Sequence, residues 1–494
     1  MKSRHGHHQP LFHASLALVR ALLLLLCTSS RIGECTKGGH NNKNEKRTPP
    51  PAGVLEYSAI SCRKHTAYLT DFGGVGDGKT LNTGAFHRAV ANLSRVAPDH
   101  GAMLVVPPGR WLTAPFYLTS HFTLYLHKDA VILGTPDESQ YPLISPLPSY
   151  GRGRDAPGDR FTSLIFGKNL TDVVITGGNG TINGQGEVWW DKYRKKELKN
   201  TRPYLIEIMY SNQIQISNLT LLNSPSWVVH PVYSSDIIIE HLTILAPIDS
   251  ENTDGIDPDS CANVRIWDNY IVSGDDCIAI KSGWDEYGIA FNMPTKQVSI
   301  KRLTCVSPFS ATIALGSEMS GGIEDVRADD ITAVNTESAV RIKTSPGRGS
   351  YVRDIYLANA RLHNMKYVFW VTAEYGDHPD DRFNPNAMPT VQGINFRDVT
   401  AENVTVAGKL VGLKGRPFTG LCISNATIAM RVGESAAKAP KQAWNCTDVR
   451  GFQGAVTPKP CDQLVEKPHL ECRFPRDKLP IENVQLRTCS LPLH

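Results

Sequence analysis

The chain has 494 residues, of which 41% are hydrophobic and 20% charged, with a formal net charge of +4. That content can bury a large core, and length alone suggests roughly two to four domains, although long β folds often run as one. The small positive charge is compatible with an acidic polymer as partner but does not single one out.

In chain order, Lys2 and Arg4 precede an apolar stretch over residues 11–27 that is broken by Arg20. Its dense part is far shorter than the roughly 20 apolar residues a membrane span needs, so residues 1–35 read as a secretory signal peptide, with a signal anchor as the alternative. Residues 36–60 are polar and Pro-rich and read as a linker. Residues 71–80, DFGGVGDGKT, match the phosphate-loop pattern G-x-x-x-x-G-K-T from Gly73 to Thr80. Asp77 would place a carboxylate inside the anion cradle, Gly84 interrupts the helix start, and no βαβ series follows. The stretch therefore reads as a turn leading into a short helix, TLNTGAFHRAVANL, that caps the end of the fold; no nucleotide or nucleic-acid partner is expected.

Short β-branched and aliphatic runs then follow, among them DVVITG, IQISNLTLL, DIIIEHLTIL, QVSIKRLTCV and DIYLANARL, each ending in Asn, Asp, Gly or Ser. TDGIDPDS, DDCIAIKS, SATIALGS and SAVRIKTS align with Ile256, Ile278 and Ile313 in one column. Val340 or Arg341 completes it. Pairing Val340 with Ile278 also brings Ile342 to Ile280 and Leu315, and Lys343 to Lys281. Equivalent strands about 22–35 residues apart, with aligned aliphatic columns, predict an all-β, single-domain parallel β-helix over residues 61–435. A Cys-rich tail occupies residues 436–494. Eleven cysteines without C-x-x-C or zinc spacing favour disulfides, with one left unpaired if Cys27 and Cys35 leave with the leader. Sequons at Asn92, Asn169, Asn179, Asn218, Asn403, Asn425 and Asn445 agree with an exported glycoprotein.

The same alignment stacks Asp276 on the coil after Asp254, with Asp275 beside Thr253. Three carboxylates so close raise one another's pKa, which suits a glycosidase needing one protonated and one ionised carboxyl. A calcium site is the rival use of such a cluster. Lys281, Arg341 and Lys343 lie further along the same face, where they suit carboxylate groups on a substrate.

NTDGIDPDS, GDDCIAIKSG and RIKT, in this order, resemble the signature blocks of the polygalacturonase family, glycoside hydrolase family 28, and FGGVGDGKT resembles its N-terminal segment. The similarity spans about residues 66–430. It implies a right-handed parallel β-helix that hydrolyses α-1,4-galacturonosyl bonds of pectin with inversion and without a metal or other cofactor. By the same resemblance Asp275 is the general acid, and Asp254 and Asp276 activate the water. Arg341 and Lys343 bind the galacturonate carboxylate, and Asn252 flanks the first Asp. A diagonal between Asp254 and Asp275 is expected to give the 6.5–9.5 Å gap of inverting enzymes. Ala311 departs from the family's G-H-G block by replacing a histidine, and His230, one coil before Asp254, is a candidate to reach the cleft in its place. Tyr375 and His378 are further candidates for the groove wall. The expected protein is a monomeric, secreted cell-wall hydrolase. Rhamnogalacturonan or another acidic backbone, a calcium-dependent lyase, and a wall protein that binds without turnover are the alternatives.

Overall fold

The aliphatic columns legible in the sequence stack as parallel ladders in the computed structural model, which describes residues 63–432 and 442–485. One column runs Ile214, Ile237, Val264, Val298, Val326, Ile355, Ile394 and Leu421, each in register with the next. A second, two residues on, runs from Ile216 to Ile423. These side chains are buried inside the coils, so each rung adds its apolar area to one continuous core. The chain is a parallel β-helix.

The polar punctuation of the strands has a backbone cause. Asn218, His241, Asp268, Arg302, Asp330, Asn359, Asp398 and Asn425 occupy equivalent corners of successive coils, and all have positive φ. Asn and Asp dominate because their short polar side chains tolerate the left-handed conformation that turns the chain between sheets. The sequon asparagines are all solvent-exposed.

The register chosen from sequence is the one observed. Ile256 pairs with Ile278, Ile278 with Ile313, and Ile313 with Val340. The helix Thr83–Ser94 packs Phe86, Ala89, Val90 and Leu93 against the first coils, with Phe86 stacked on Phe116 at 4.2 Å. Ahead of it, Asp77 Oδ1 accepts from the backbone N–H groups of Lys79 and Thr80 at 2.8 Å each. The loop's own carboxylate occupies the cradle a phosphate would need.

The expected boundary at residue 435 is corrected. Strands Trp444–Thr447, Val449–Thr457 and Leu464–Glu466 continue the parallel ladders, pairing through Gly408↔Trp444, Leu421↔Gly451 and Gly451↔Leu464. The chain then turns back along the outside of the sheet. There Leu479, Ile481 and Val484 pack on Val174 and Ile238, and Arg265 donates to the Ile481 and Val484 carbonyls. Disulfides join Cys277 to Cys305, Cys422 to Cys472 and Cys446 to Cys461, and Cys261 is a free, buried thiol. The leader and linker lie outside the described residues, as do Cys62 and Cys489. Among the described residues no helix is long and apolar enough to cross a membrane.

Candidate active site

The Ile256↔Ile278 rung places Asp254 and Asp276 at equivalent points of adjacent coils, with Asp275 one residue to the side. One oxygen from each of the three carboxylates lies within 4.8 Å of the others. The 6.5–9.5 Å range of inverting enzymes refers to whole carboxyl groups rather than to their nearest oxygens, so the stereochemistry of the product is what tests that expectation. The cluster opens into a cavity of about 430 Å³, whose lining includes Asn252, Asp254, Asp275, Lys281, Lys343 and Tyr375.

The three carboxylates differ in their surroundings. Asp276 is buried, and both its oxygens are engaged: Oδ1 accepts from Ser310 Oγ (2.5 Å) and Ala311 N (2.9 Å), and Oδ2 from Lys343 Nζ (2.5 Å). Burial alone would raise its pKa, but the Lys343 ammonium and these hydrogen bonds outweigh that and hold it below the ordinary value. Asp254 is also buried, and its carboxyl is pushed up to about 7 by desolvation and then by the negative charge of Asp275, against the pull of Lys281. Its Oδ1 has no hydrogen-bond partner. Asp275 is half-buried; its Oδ1 accepts from Asp276 N at 2.9 Å and lies 2.9 Å from Ser310 Oγ, whose one proton it shares with the closer Asp276, while Oδ2 meets only Asn252 Nδ2 at 3.4 Å.

Cations balance this charge. Lys281 Nζ lies 3.3 Å from Glu318, 3.5 Å from Asp254 and 3.6 Å from Asp257, and 4.4 Å from the Trp227 ring centroid. It is thus engaged by three carboxylates before any substrate arrives. Two ammoniums already stand where a divalent ion would be needed to compensate the acidic trio, so the donor set fits a proton-transfer site better than a calcium site. Arg341 stands just beyond the cavity, stacked 3.7 Å from the Trp370 centroid and hydrogen-bonded to Glu337 at 3.1 Å.

Ala311 packs with Ala279 and Ala314. Its methyl offers no polar group, yet its backbone N–H serves Asp276. The acid cluster is therefore supported by Ser310, the Ala311 backbone and Lys343.

The expectation that His230 reaches the cleft is corrected: it is fully buried. Its Nδ1 lies 3.1 Å from Glu207 and its Nε2 3.4 Å from Asp259, with Tyr204 and Trp227 edge-on to the ring. Glu207 also takes two hydrogen bonds from Arg160 at 2.7 and 2.8 Å. Burial would raise the Glu207 pKa, but Arg160 and then His230 bring it from 4.5 down to about 2. A lowered carboxyl stabilises the fold above its unfolded pKa and loses that contribution as pH falls. The term is on the order of 3 kcal/mol, present above about pH 4.5 and gone near pH 2. Urea-unfolding free energy is expected to decline more steeply across that window for the native chain than for Glu207→Gln. Equal slopes would remove Glu207 from the acid response.

Several wall residues carried no signal in the sequence. Arg202, fully buried, donates to Asp155 and to Asn252 Oδ1 (2.7 Å), fixing the amide that faces Asp275. Arg154 bridges Glu318 and Asp377 at 2.8 Å each. Tyr375 does line the cavity, whereas His378 is turned to Asp285 at 2.5 Å and stacked on Phe383.

Residues 155–457 match the family model described as glycosyl hydrolases family 28. A "Probable polygalacturonase" of Vitis vinifera is 60% identical over 479 residues, covering 96% of this chain and 94% of that protein. The chain belongs to glycosyl hydrolases family 28. It is a glycoside hydrolase of polygalacturonase type. The solved hyperthermoactive exopolygalacturonase from Thermotoga maritima is 27% identical, with a TM-score of 0.68 over 76% of this chain and 89% of that one. A polygalacturonase from Erwinia carotovora ssp. carotovora, 22% identical, shares the fold with a TM-score of 0.62 over 83% of this chain and 99% of that one.

Proposed function

We propose that the chain is an exported hydrolase that cleaves α-1,4-galacturonosyl linkages of cell-wall pectin by metal-independent acid–base catalysis. The observation that carries this is a set of three adjacent carboxylates in unlike surroundings: one held by Lys343, one buried with an unpartnered oxygen, and one half-buried at the cavity. Asp276 is fixed as an anion by Lys343. Burial, and then the negative charge of Asp275, pushes the Asp254 carboxyl up to about 7, so the cluster keeps a proton available at neutral pH. Asp275, the half-buried member, donates that proton to the glycosidic oxygen as the C–O bond breaks. Asp254 accepts a proton from the attacking water, and the water oxygen bonds to the anomeric carbon. The proton has then moved from Asp275 to Asp254, and exchange with solvent resets the pair. Lys343 and Arg341 supply positive charge for galacturonate carboxylates, and the disulfides suit an oxidising, extracellular setting.

De-esterified polygalacturonate with EDTA present is the test. Reducing ends are expected to appear without any unsaturated product. NMR of the first products is expected to show the β-anomer, as single displacement requires; α-anomer first would make one carboxylate a nucleophile, and unsaturated ends would make the protein a lyase.

A further inference from the structure

Resting on the hydrolase reading above, we infer that the groove is closed on the N-terminal side of Asp254 by the segment of residues 145–160, so that the enzyme takes an acidic polysaccharide by its end and releases saccharides of one fixed length.

The register shows the closure. Glu207, His230, Asp257, Arg341, Trp370 and Lys409 lie along one face of the stack, with Ala279 and Ala314 completing the row. They alternate with inward aliphatic residues such as Ile206 and Ile342, so all of them face outward. Yet Glu207, His230 and Asp257 are 0% exposed. Outward polar groups that see no water must be covered from outside the coil.

The cover is specific. Tyr150 donates its hydroxyl to Asp259 (2.6 Å), Ser149 Oγ meets the Tyr233 hydroxyl (2.6 Å), and Arg160 clamps Glu207. Leu147 and Tyr150 form an apolar cluster with Tyr204 and Trp227. The middle of the segment is pinned far along the stack, where Arg152 donates to the Pro379 carbonyl (2.6 Å) and Arg154 bridges Glu318 and Asp377. With both regions tied by buried or charge-assisted bonds, the segment is a fixed wall. Arg154 and Asp155 of the segment line the same cavity as Tyr193, Tyr204, Trp227 and Asp254, so the segment walls the cavity on that side.

On the other side the face stays accessible. Arg341 and Lys409 keep 14% and 29% side-chain exposure, and Lys409 Nζ lies 5.7 Å from the Trp370 ring that Arg341 stacks upon. A chain bearing a carboxylate on each sugar has cations and an aromatic face to follow in that direction.

The test uses the full-length protein and polygalacturonate fragments carrying a fluorophore at the reducing end. Products are separated by size from the first few per cent of conversion, and the viscosity of unlabelled polymer is followed in parallel. The expected result is one unlabelled product size with labelled chains shortened stepwise, or one short labelled product, according to which end enters; viscosity then lags reducing-end release. A ladder of labelled sizes from the first time point, with a steep early fall in viscosity, would overturn the closed groove while leaving the hydrolase intact. No reducing ends from any fragment would remove both. As a second variant, residues 149–157 replaced by a short Gly-Ser link are expected to broaden the product sizes if the chain still folds. An unchanged single product from that folded variant would overturn the role of the segment.

Discussion

Asp275→Asn is expected to lower kcat/KM on polygalacturonate by roughly 10²–10⁴-fold, the range of a lost acid–base group. The expectation comes from the one carboxylate oxygen of the cluster that faces the cavity with little competition. Asp275 Oδ2 has only the 3.4 Å contact to Asn252, while Oδ1 is taken by Asp276 N and Ser310 Oγ. An amide keeps the Oδ1 contacts, gives up only the long one to Asn252, and has no acidic proton to deliver to a leaving oxygen. The unfolding midpoint should therefore change little, and polymer binding should persist. A loss smaller than tenfold would place the proton donor on another carboxyl.

Lys343→Met is expected to be nearly as damaging to turnover and much worse for stability. Lys343 is buried, and its ammonium is the direct partner of the buried Asp276. Removing one member of such a pair leaves an uncompensated charge and typically costs about 3–5 kcal/mol. The sign with pH follows from the lowered Asp276 carboxyl. Its stabilising contribution is present above the unfolded pKa near 3.8 and is lost as pH falls through the folded value. Without Lys343 that contribution disappears, so the variant should already be weak at neutral pH and show a shallower further decline in acid. Lys343→Arg should recover much of the stability by restoring the charge. Thermal unfolding of the three proteins between pH 3 and 7 checks this, and identical profiles would contradict the pairing.

What the sequence revealed, and what it hid, divides by the kind of contact. Columns such as Ile256, Ile278, Ile313 and Val340 repeat because each rung needs the same side chain in the same place, and a repeat is visible without coordinates. Once that register is set, Asp254, Asp275, Asp276, Lys281 and Lys343 fall together as a consequence. His230 shows the limit. Register puts it on the outer face one coil before the acids, but its burial against Tyr204 and Trp227, under a loop whose Tyr150 shares its partner Asp259, has no period to reveal it. Arg202 and Arg154 escaped notice for the same reason, since their partners are tens to hundreds of residues away. The coils past residue 435 escaped because WNCT and VRGFQGAVT carry few aliphatic side chains, although their backbones pair as before.

Ala311 bears on the one reading outside enzymology, a wall protein that binds pectin without cleaving it. The position lacks an imidazole, but Asp276 is fully hydrogen-bonded without one. A protein that only binds has no use for the buried, unpartnered Asp254 Oδ1, whose burial beside Asp275 is destabilising. The arrangement makes sense when the strained proton is passed to a leaving group.

The most direct measurement of that claim is the pH dependence of kcat/KM on de-esterified polygalacturonate in the presence of EDTA. Activity should need a proton held within the cluster and passed on through Asp275, so the rate should fall as pH rises through about 7, where the raised Asp254 carboxyl gives that proton up to solvent. A rate that instead climbs through pH 7 and beyond, or that vanishes on chelation, would mean that the site works by removing a proton from the substrate rather than giving one to it.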